Sequence, residues 1–215
     1  MIKQKCPICN SIHKKKIWHS KVWGGNKNDK FLQCKICDIV FLSPFPAKKN
    51  IEKFYSNNFG TYMKIRSKDM NWSNLKKQYQ NLYKREIPLR SIYLKKYLKK
   101  GNVCDVGCST GFTLDYISKN KKYKTFGIEP SEEHRIHIKK RHTVYPSIKN
   151  ADIMFDNIIH YYVLEHVFNP FVFLNDLLSK LKKNGRMIFE IPHRNDALFS
   201  LYNINSYKNF IMQKM

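Results

Sequence analysis

Apolar and polar positions alternate differently in the two parts of the chain. After Gly101, short apolar runs are separated by amphipathic stretches. Val103-Cys104-Asp105-Val106 reads as a short buried strand, residues 107–111 as a loop of small residues, and Phe112-Thr113-Leu114-Asp115-Tyr116-Ile117 as a helix. Lys124-Thr125-Phe126-Gly127-Ile128 reads as a second strand, closed by Glu129. The pattern predicts five strands in all, at 102–106, 124–128, 143–145, 156–161 and 186–191. Strands alternating with helices predict an α/β fold on a parallel sheet.

The first hundred residues read otherwise. Ile39-Val40-Phe41-Leu42 predicts a short strand, and Ser43-Pro44-Phe45-Pro46 breaks it. A short helix is expected over 48–56 and a loop at Gly60-Thr61-Tyr62. Between Ser73 and Lys99, Leu75, Tyr79, Leu82, Tyr83, Ile92, Tyr93 and Tyr97 recur at helical spacing on a basic background, with Pro88 expected to separate two helices. Such a stretch suits packing on its own domain better than a membrane or RNA. The predicted division is a ribbon at 1–45, a helical linker or lid at 46–100, and an α/β domain at 101–215.

Composition adds two constraints. The chain has 215 residues, 42% hydrophobic and 14% aromatic, which is a globular balance. No apolar run approaches the ~20 residues of a membrane span, and the start Met1-Ile2-Lys3-Gln4-Lys5-Cys6-Pro7 lacks the apolar core of a secretory signal, so a cytoplasmic location is expected. The net charge is +24, with lysine supplying 33 of the 40 basic residues. A balance this rich in Lys, Asn, Ile and Tyr fits codon drift and solvated faces. It also leaves a nucleic-acid partner open, because such a field attracts anions.

Four of the six cysteines form Cys6-Pro7-Ile8-Cys9 and Cys34-Lys35-Ile36-Cys37, a C-x2-C-x24-C-x2-C pattern. Each turn aims two thiolates at one point, and two turns complete a tetrahedral site for structural Zn2+. The spacer is somewhat longer than usual, and a cytosolic chain disfavours the alternative of two disulfides. His13 and His19, in the intervening loop, are not needed as ligands. Four protein ligands leave no open position, so this metal builds structure and does no chemistry.

The strand, glycine loop, helix, strand and terminal acid occur in nucleotide-binding order. Small loop residues admit a ligand to the backbone, and Glu129, 24 residues after Asp105, can accept hydrogen bonds from both ribose hydroxyls of an adenosine. A dinucleotide site wants G-x-G-x-x-G, which Gly107-x-Ser109-x-Gly111 does not supply. The segments DVGCSTG at 105–111, GIEPS at 127–131, FDNIIHYYVLEHV at 155–167 and LKKNGRMIFEIP at 181–192 resemble the class I S-adenosylmethionine-dependent methyltransferases, whose sheet is Rossmann-like. The resemblance implies S-adenosylmethionine as cofactor. It assigns Asp105, Gly107, Cys108, Ser109 and Gly111 to the methionine part, Glu129 to the ribose, and His160 to Tyr162 to the methyl-transfer region. Ser109 stands where the family commonly has a glycine. The ribbon, with Phe-Leu-Ser-Pro, Phe-Tyr-Ser and the segment 191–198 (IPHRNDAL), resembles bacterial methyltransferases of surface-polysaccharide and sugar modification. That implies a saccharide or nucleotide-sugar acceptor.

An activated methyl donor asks the enzyme mainly to align donor and acceptor, with a base for a poor nucleophile such as a hydroxyl. Residues at the carboxyl ends of the strands are the candidates. His166, Tyr162 and His193 are the leading ones, with His160, Tyr161 and Glu165 beside them; Glu165 reads equally as a helix cap. Tyr55 and Tyr62 either close over the crevice or pack under the ribbon. The resembled family has seven strands. An incomplete sheet of about five, with the final antiparallel pair missing, is therefore expected, its exposed edge carrying Met187, Phe189 and Ile191. Such an edge implies a homodimer or a covering partner, and weak turnover. The rival readings are an RNA methyltransferase and a nonenzymatic binding module with a degenerate catalytic domain.

Overall fold

The structure, a computed structural model, describes residues 4–12, 14–19, 27–58, 61–62 and 74–193. His13 and Gly60 lie outside the described residues, as does the side chain of His19. The chain divides into two compact units, Met1–Ile51 with Pro192–Met215, and Glu52–Ile191.

The first unit is a three-stranded antiparallel ribbon of β1 (Lys14–His19), β2 (Lys30–Cys34) and β3 (Val40–Ser43), in that order. Its hydrophobic core is small: Cys6, Leu32, Cys34 and Phe41, flanked by Ile8 and Ile39. Both cysteine turns end in a residue of left-handed conformation, Asn10 at φ 58° and Asp38 at φ 61°. Asn and Asp tolerate that region best after glycine, so the residue following each C-x2-C suits the reversal. Gln33 Nε2 donates to Asp38 Oδ1 at 2.7 Å and holds the second turn.

Helix α1 (Lys48–Lys53) runs into a π-helical turn at Phe54–Asn58, and Thr61 and Tyr62 are helical where a loop was expected. Helix α2 (Leu75–Tyr97) is continuous, against the expected break at Pro88. Its inward anchors are Ile87, Arg90 and Leu94, all buried, whereas Pro88 is exposed. The proline therefore forfeits one backbone bond on the solvent side, where water can serve the Lys84 carbonyl, and the packed face carries the helix through.

The second unit is built on β4 (Gly101–Val106), β5 (Tyr123–Ile128), β6 (Thr143–Tyr145), β7 (Phe155–Tyr161) and β8 (Leu181–Glu190), in the order β6-β5-β4-β7-β8 and parallel throughout. The connecting helices are α3 (Phe112–Ser118), α4 (Glu132–Ile138) and α5 (Pro170–Leu178). The five-stranded α/β sheet is thus as expected. Strand β8 begins five residues earlier than the polar Lys182-Lys183-Asn184-Gly185 stretch suggested. Its register against β7 slips between Leu181 and Arg186, with Asn184 at φ 64°. Met187 packs against the core rather than lying exposed; Phe189 and Ile191 are exposed.

Alternation along the strands sorts the two faces. Cys104, Val106 and Ile158 pack with Leu177 of α5, while Val103 and Ile159 pack with Leu94 of α2 and Ile117 of α3. The chain builds outward from β4 to β5 and β6, then returns to place β7 on β4's other side. The crevice between β4 and β7, outside their carboxyl ends, is the switch point where parallel α/β sheets bind ligands.

Candidate functional site

In the ribbon, Cys6, Cys9, Cys34 and Cys37 bring their sulfurs within 4.8 Å of one another. Cys6 and Cys37 approach to 3.5 Å, as do Cys9 and Cys34, and none of the four is in a disulfide. Backbone N–H groups of Cys37 and Ile36 pull the Cys34 thiol down to about 6, against its burial; burial pushes Cys6 up to about 12. Four soft donors converging from two turns fit a tetrahedral Zn2+.

In the second unit the chain leaves β4 through residues 107–111. Gly107, Ser109 and Gly111 all have positive φ, at 75°, 49° and 80°. A Cβ on Gly107 would stand 2.6 Å from Val163 Cγ2, so only glycine passes beneath that side chain. Gly107 and Cys108 N–H both donate to the Ile128 carbonyl, at 2.8 and 3.1 Å. That ties the loop to the end of β5. The Cys108 side chain is buried with Leu114 and Ile138, so this residue offers the crevice backbone only.

Glu129 follows β5 and lies across the loop. Its Oε2 accepts from Ser109 N–H and its Oε1 from Ser131 N–H, both at 2.9 Å. Each carboxylate oxygen retains a second acceptor site. Burial pushes this carboxyl up to about 7 despite those two bonds. Asp105, near the end of β4, is also pushed up to about 7 by burial, with Arg90 opposing and Glu129 reinforcing the shift.

Arg90 is the residue the sequence reading missed. It projects from α2 with its guanidinium 4.0 Å over the Tyr161 ring and 5.3 Å from that of Phe112. Glu86 pairs with it at 3.4 Å and Thr113 Oγ1 accepts from Nη1 at 3.4 Å. Arg90 Nε and the Tyr161 hydroxyl are buried with no hydrogen-bond partner among the described residues. The available signal was positional: Arg90 sits three residues after Ile87 and four before Leu94, a cation on the buried stripe of its helix.

The remaining candidates separate. His160 is fully buried on the α5 side, stacked on Phe189 at 5.1 Å and edge-on to Phe173 at 5.8 Å. Both its ring nitrogens lack a hydrogen-bond partner among the described residues, and burial pushes it down to about 4, so it is neutral at pH 7. Tyr162 takes φ 55° and donates its hydroxyl to Glu190 Oε1 at 2.6 Å, while its N–H donates to the Glu190 carbonyl at 2.9 Å. The bond to the Glu190 carboxylate, with burial second, raises the Tyr162 phenol to about 12. His166 sits 5.4 Å from the Tyr55 ring and 3.9 Å from Glu165. Burial raises Glu165, and burial with the Glu165 charge raises Tyr55 to about 12. The following helix is capped by Asn169, which accepts from Phe171 and Val172 N–H, and not by Glu165. His193 is exposed beyond β8 and belongs to the unit of the ribbon.

The chain matches the family model described as "Methyltransferase domain" over residues 72–211. No curated protein matches it. Among solved structures, the plantazolicin methyltransferase BpumL, in complex with a pentazolic desmethylPZN analog and SAH, is 21% identical with a TM-score of 0.48, covering 78% of this chain and 71% of that one. The plantazolicin methyltransferase BamL, with a triazolic analog and SAH, gives 18% and 0.49 over 78% and 70%. Coclaurine N-methyltransferase, bound to N-methylheliamine and SAH, gives 19% and 0.42 over 55% and 42%.

Proposed function

Because the chain belongs to the methyltransferase-domain family, whose donor is S-adenosylmethionine, we propose that it methylates a hydroxyl of a saccharide or nucleotide-sugar. The observation that carries the cofactor reading is the clasp of Glu129 over the glycine loop: both carboxylate oxygens are positioned by backbone N–H groups, with acceptor capacity left for two ribose hydroxyls. The residues present fit the donor in charge as well. Arg90, with a buried unpartnered Nε, would hold its carboxylate, and Asp105 its ammonium. When bound, the donor supplies an activated methyl group on sulfur.

On the acceptor side, the chain offers aromatic rings beside carboxylates, a pairing suited to a polyhydroxylated ring. Tyr162 is held by Glu190, and Tyr55 stands against His166 near Glu165. The Tyr162 phenol keeps its proton at neutral pH, so it orients an acceptor oxygen rather than deprotonating it. His166, half exposed, serves as the base in this reading. The resemblance of the ribbon and of residues 191–198 to sugar-modifying methyltransferases supports the saccharide class. The four-cysteine cluster holds Zn2+ as a structural ion. The test is incubation of the full chain with S-adenosylmethionine and a panel of nucleotide-sugars, read by mass spectrometry. Gain of one methyl on a sugar, lost in His166→Ala with S-adenosylhomocysteine binding retained, is the expected result. Methylation of RNA oligonucleotides and of no sugar overturns it.

A further inference from the structure

Helix α2 is apolar on two sides. Ile87, Arg90 and Leu94 face the sheet and are buried. A second stripe, Leu89, Ile92, Tyr93 and Tyr97, runs at i, i+3, i+4 and i+8 along the outside, and these residues are 65%, 62%, 58% and 40% exposed. One row suffices to seat the helix, so the outer row is surplus to folding. A run of adjacent exposed apolar side chains differs from the scattered ones normal on a surface.

Its surroundings are basic. Lys95, Lys96 and Lys100 are exposed at the end of the helix, and Lys96 Nζ stands 5.2 Å over the Tyr97 ring. Two other segments bring further lysines to the same end of the sheet. The Lys122 carbonyl accepts from Gly101 N–H at 3.1 Å, which places the exposed Lys121 and Lys122 beside the start of β4. Arg186 Nη1 donates to the Tyr97 carbonyl at 2.7 Å, and Lys99 Nζ donates to the Asn184 carbonyl, which draws the exposed Lys183 alongside. Asp156 at this end is occupied by Lys182 at 2.9 Å. The carboxylates Glu129 and Glu165 instead follow the carboxyl ends of β5 and β7, and Glu190 ends β8, at the opposite edge. The amino-end edge is thus rich in exposed lysines, whereas around the crevice the carboxylates stand among Arg90, Arg135 and Arg141.

We propose that this face is a peripheral docking surface for an anionic lipid bilayer. Leu89, Ile92, Tyr93 and Tyr97 enter the headgroup boundary, and the lysines flanking them meet lipid phosphates. No described helix is long and apolar enough to cross a membrane. The apolar stripe is what favours lipid over nucleic acid: RNA would reward the lysines and leave Leu89 and Ile92 in water. Tyrosine, apolar in body and polar at its tip, suits that boundary.

The test is sedimentation of the full chain with vesicles of equal parts phosphatidylglycerol and phosphatidylcholine, and with vesicles of phosphatidylcholine alone. The chain should bind the first and not the second. Ile92→Ser with Tyr93→Ser, and separately Lys95→Glu with Lys96→Glu, should each lower the partition coefficient roughly tenfold or more. All four positions are exposed, and retained S-adenosylhomocysteine binding reports that each variant is folded. Three results overturn the proposal. One is no binding to the anionic vesicles. The second is binding that the serine variant leaves unchanged, with retention of an RNA oligonucleotide, which makes the face a nucleic-acid site. The third is a dimer that the serine variant dissociates, with no lipid binding, which makes a second copy the occupant.

Discussion

In the proposed reading Glu129 links loop, cofactor and pH, and its removal is the most informative single change. Its carboxyl titrates near 7 because burial outweighs the two N–H bonds from Ser109 and Ser131. Against an ordinary glutamate this shift corresponds to about 3 kcal/mol in favour of the protonated form. A folded-state value raised above the unfolded one contributes stability that is complete at acid pH and is lost as pH rises through about 7. Two ribose hydroxyls donating to the carboxylate favour the ionised form and so reverse this preference. Through Glu129 cofactor affinity should therefore rise with pH by up to tenfold per unit below about pH 7 and level off above it, with Asp105 adding a slope of its own. In Glu129→Ala the donor loses hydrogen bonds to a charged group. At about 1.5–3 kcal/mol for one such bond, affinity at pH 8 should fall roughly ten- to a hundredfold. Calorimetric titration of S-adenosylhomocysteine from about pH 5.5 to 8.5 measures both effects. Asp105 titrates in the same window, so Asp105→Asn is the control; in the double variant the slope should vanish. Wild-type affinity that is flat across the window, or equal affinity in Glu129→Ala, would refute the ribose assignment.

Three further outcomes follow from particular contacts. Freshly purified, reduced protein should carry one zinc per chain by elemental analysis, and Cys34→Ser should lose it and melt the ribbon, whose buried core among the described residues is Cys6, Leu32, Cys34 and Phe41, flanked by Ile8 and Ile39. Leu94→Ala removes a side chain packed between α2 and the sheet beside Val103, Ile117 and Ile159, and should cost about 2–5 kcal/mol in urea unfolding. Pro88→Ala restores an N–H for the Lys84 carbonyl on the exposed side of α2, and should raise the midpoint of unfolding; a lowered midpoint would mean that Pro88 shapes a bend the packing requires.

The sheet was legible because strands covered on both faces read as nearly unbroken apolar runs, and because a loop of small residues followed by an acid admits few other folds. The polar start of β8 was not, since Lys182-Lys183-Asn184-Gly185 carries turn chemistry into a strand. There a Cβ on Gly185 would meet the Leu181 side chain at 2.7 Å, so the glycine serves the register slip and not a chain reversal. Pro88 misled because propensity is local, while the continuity of α2 is decided by Ile87, Arg90 and Leu94 on its other side. The candidate site divided on a point of geometry that pattern alone could have supplied. Laterally paired residues of parallel strands share a face, and Asp105 pairs with Ile159 whereas Val106 pairs with His160. Two residues further along, Tyr161 returns to the face of Asp105 and Ile159, where Arg90 meets it. His160 consequently belongs with Phe173 and Phe189 on the α5 side, although it is adjacent in sequence to Tyr161. A histidine there, neutral and without a hydrogen-bond partner, acts as an aromatic plate between helix and sheet. The grouping of Asp105, Glu129, Arg90 and Tyr161 gives the crevice a balanced set of charges: two buried acids poised near neutrality and one buried cation whose guanidinium Nε still lacks a partner. Such a set is costly when unpaired, and in the proposed reading it is relieved by a ligand that carries an ammonium, a carboxylate and two hydroxyls together.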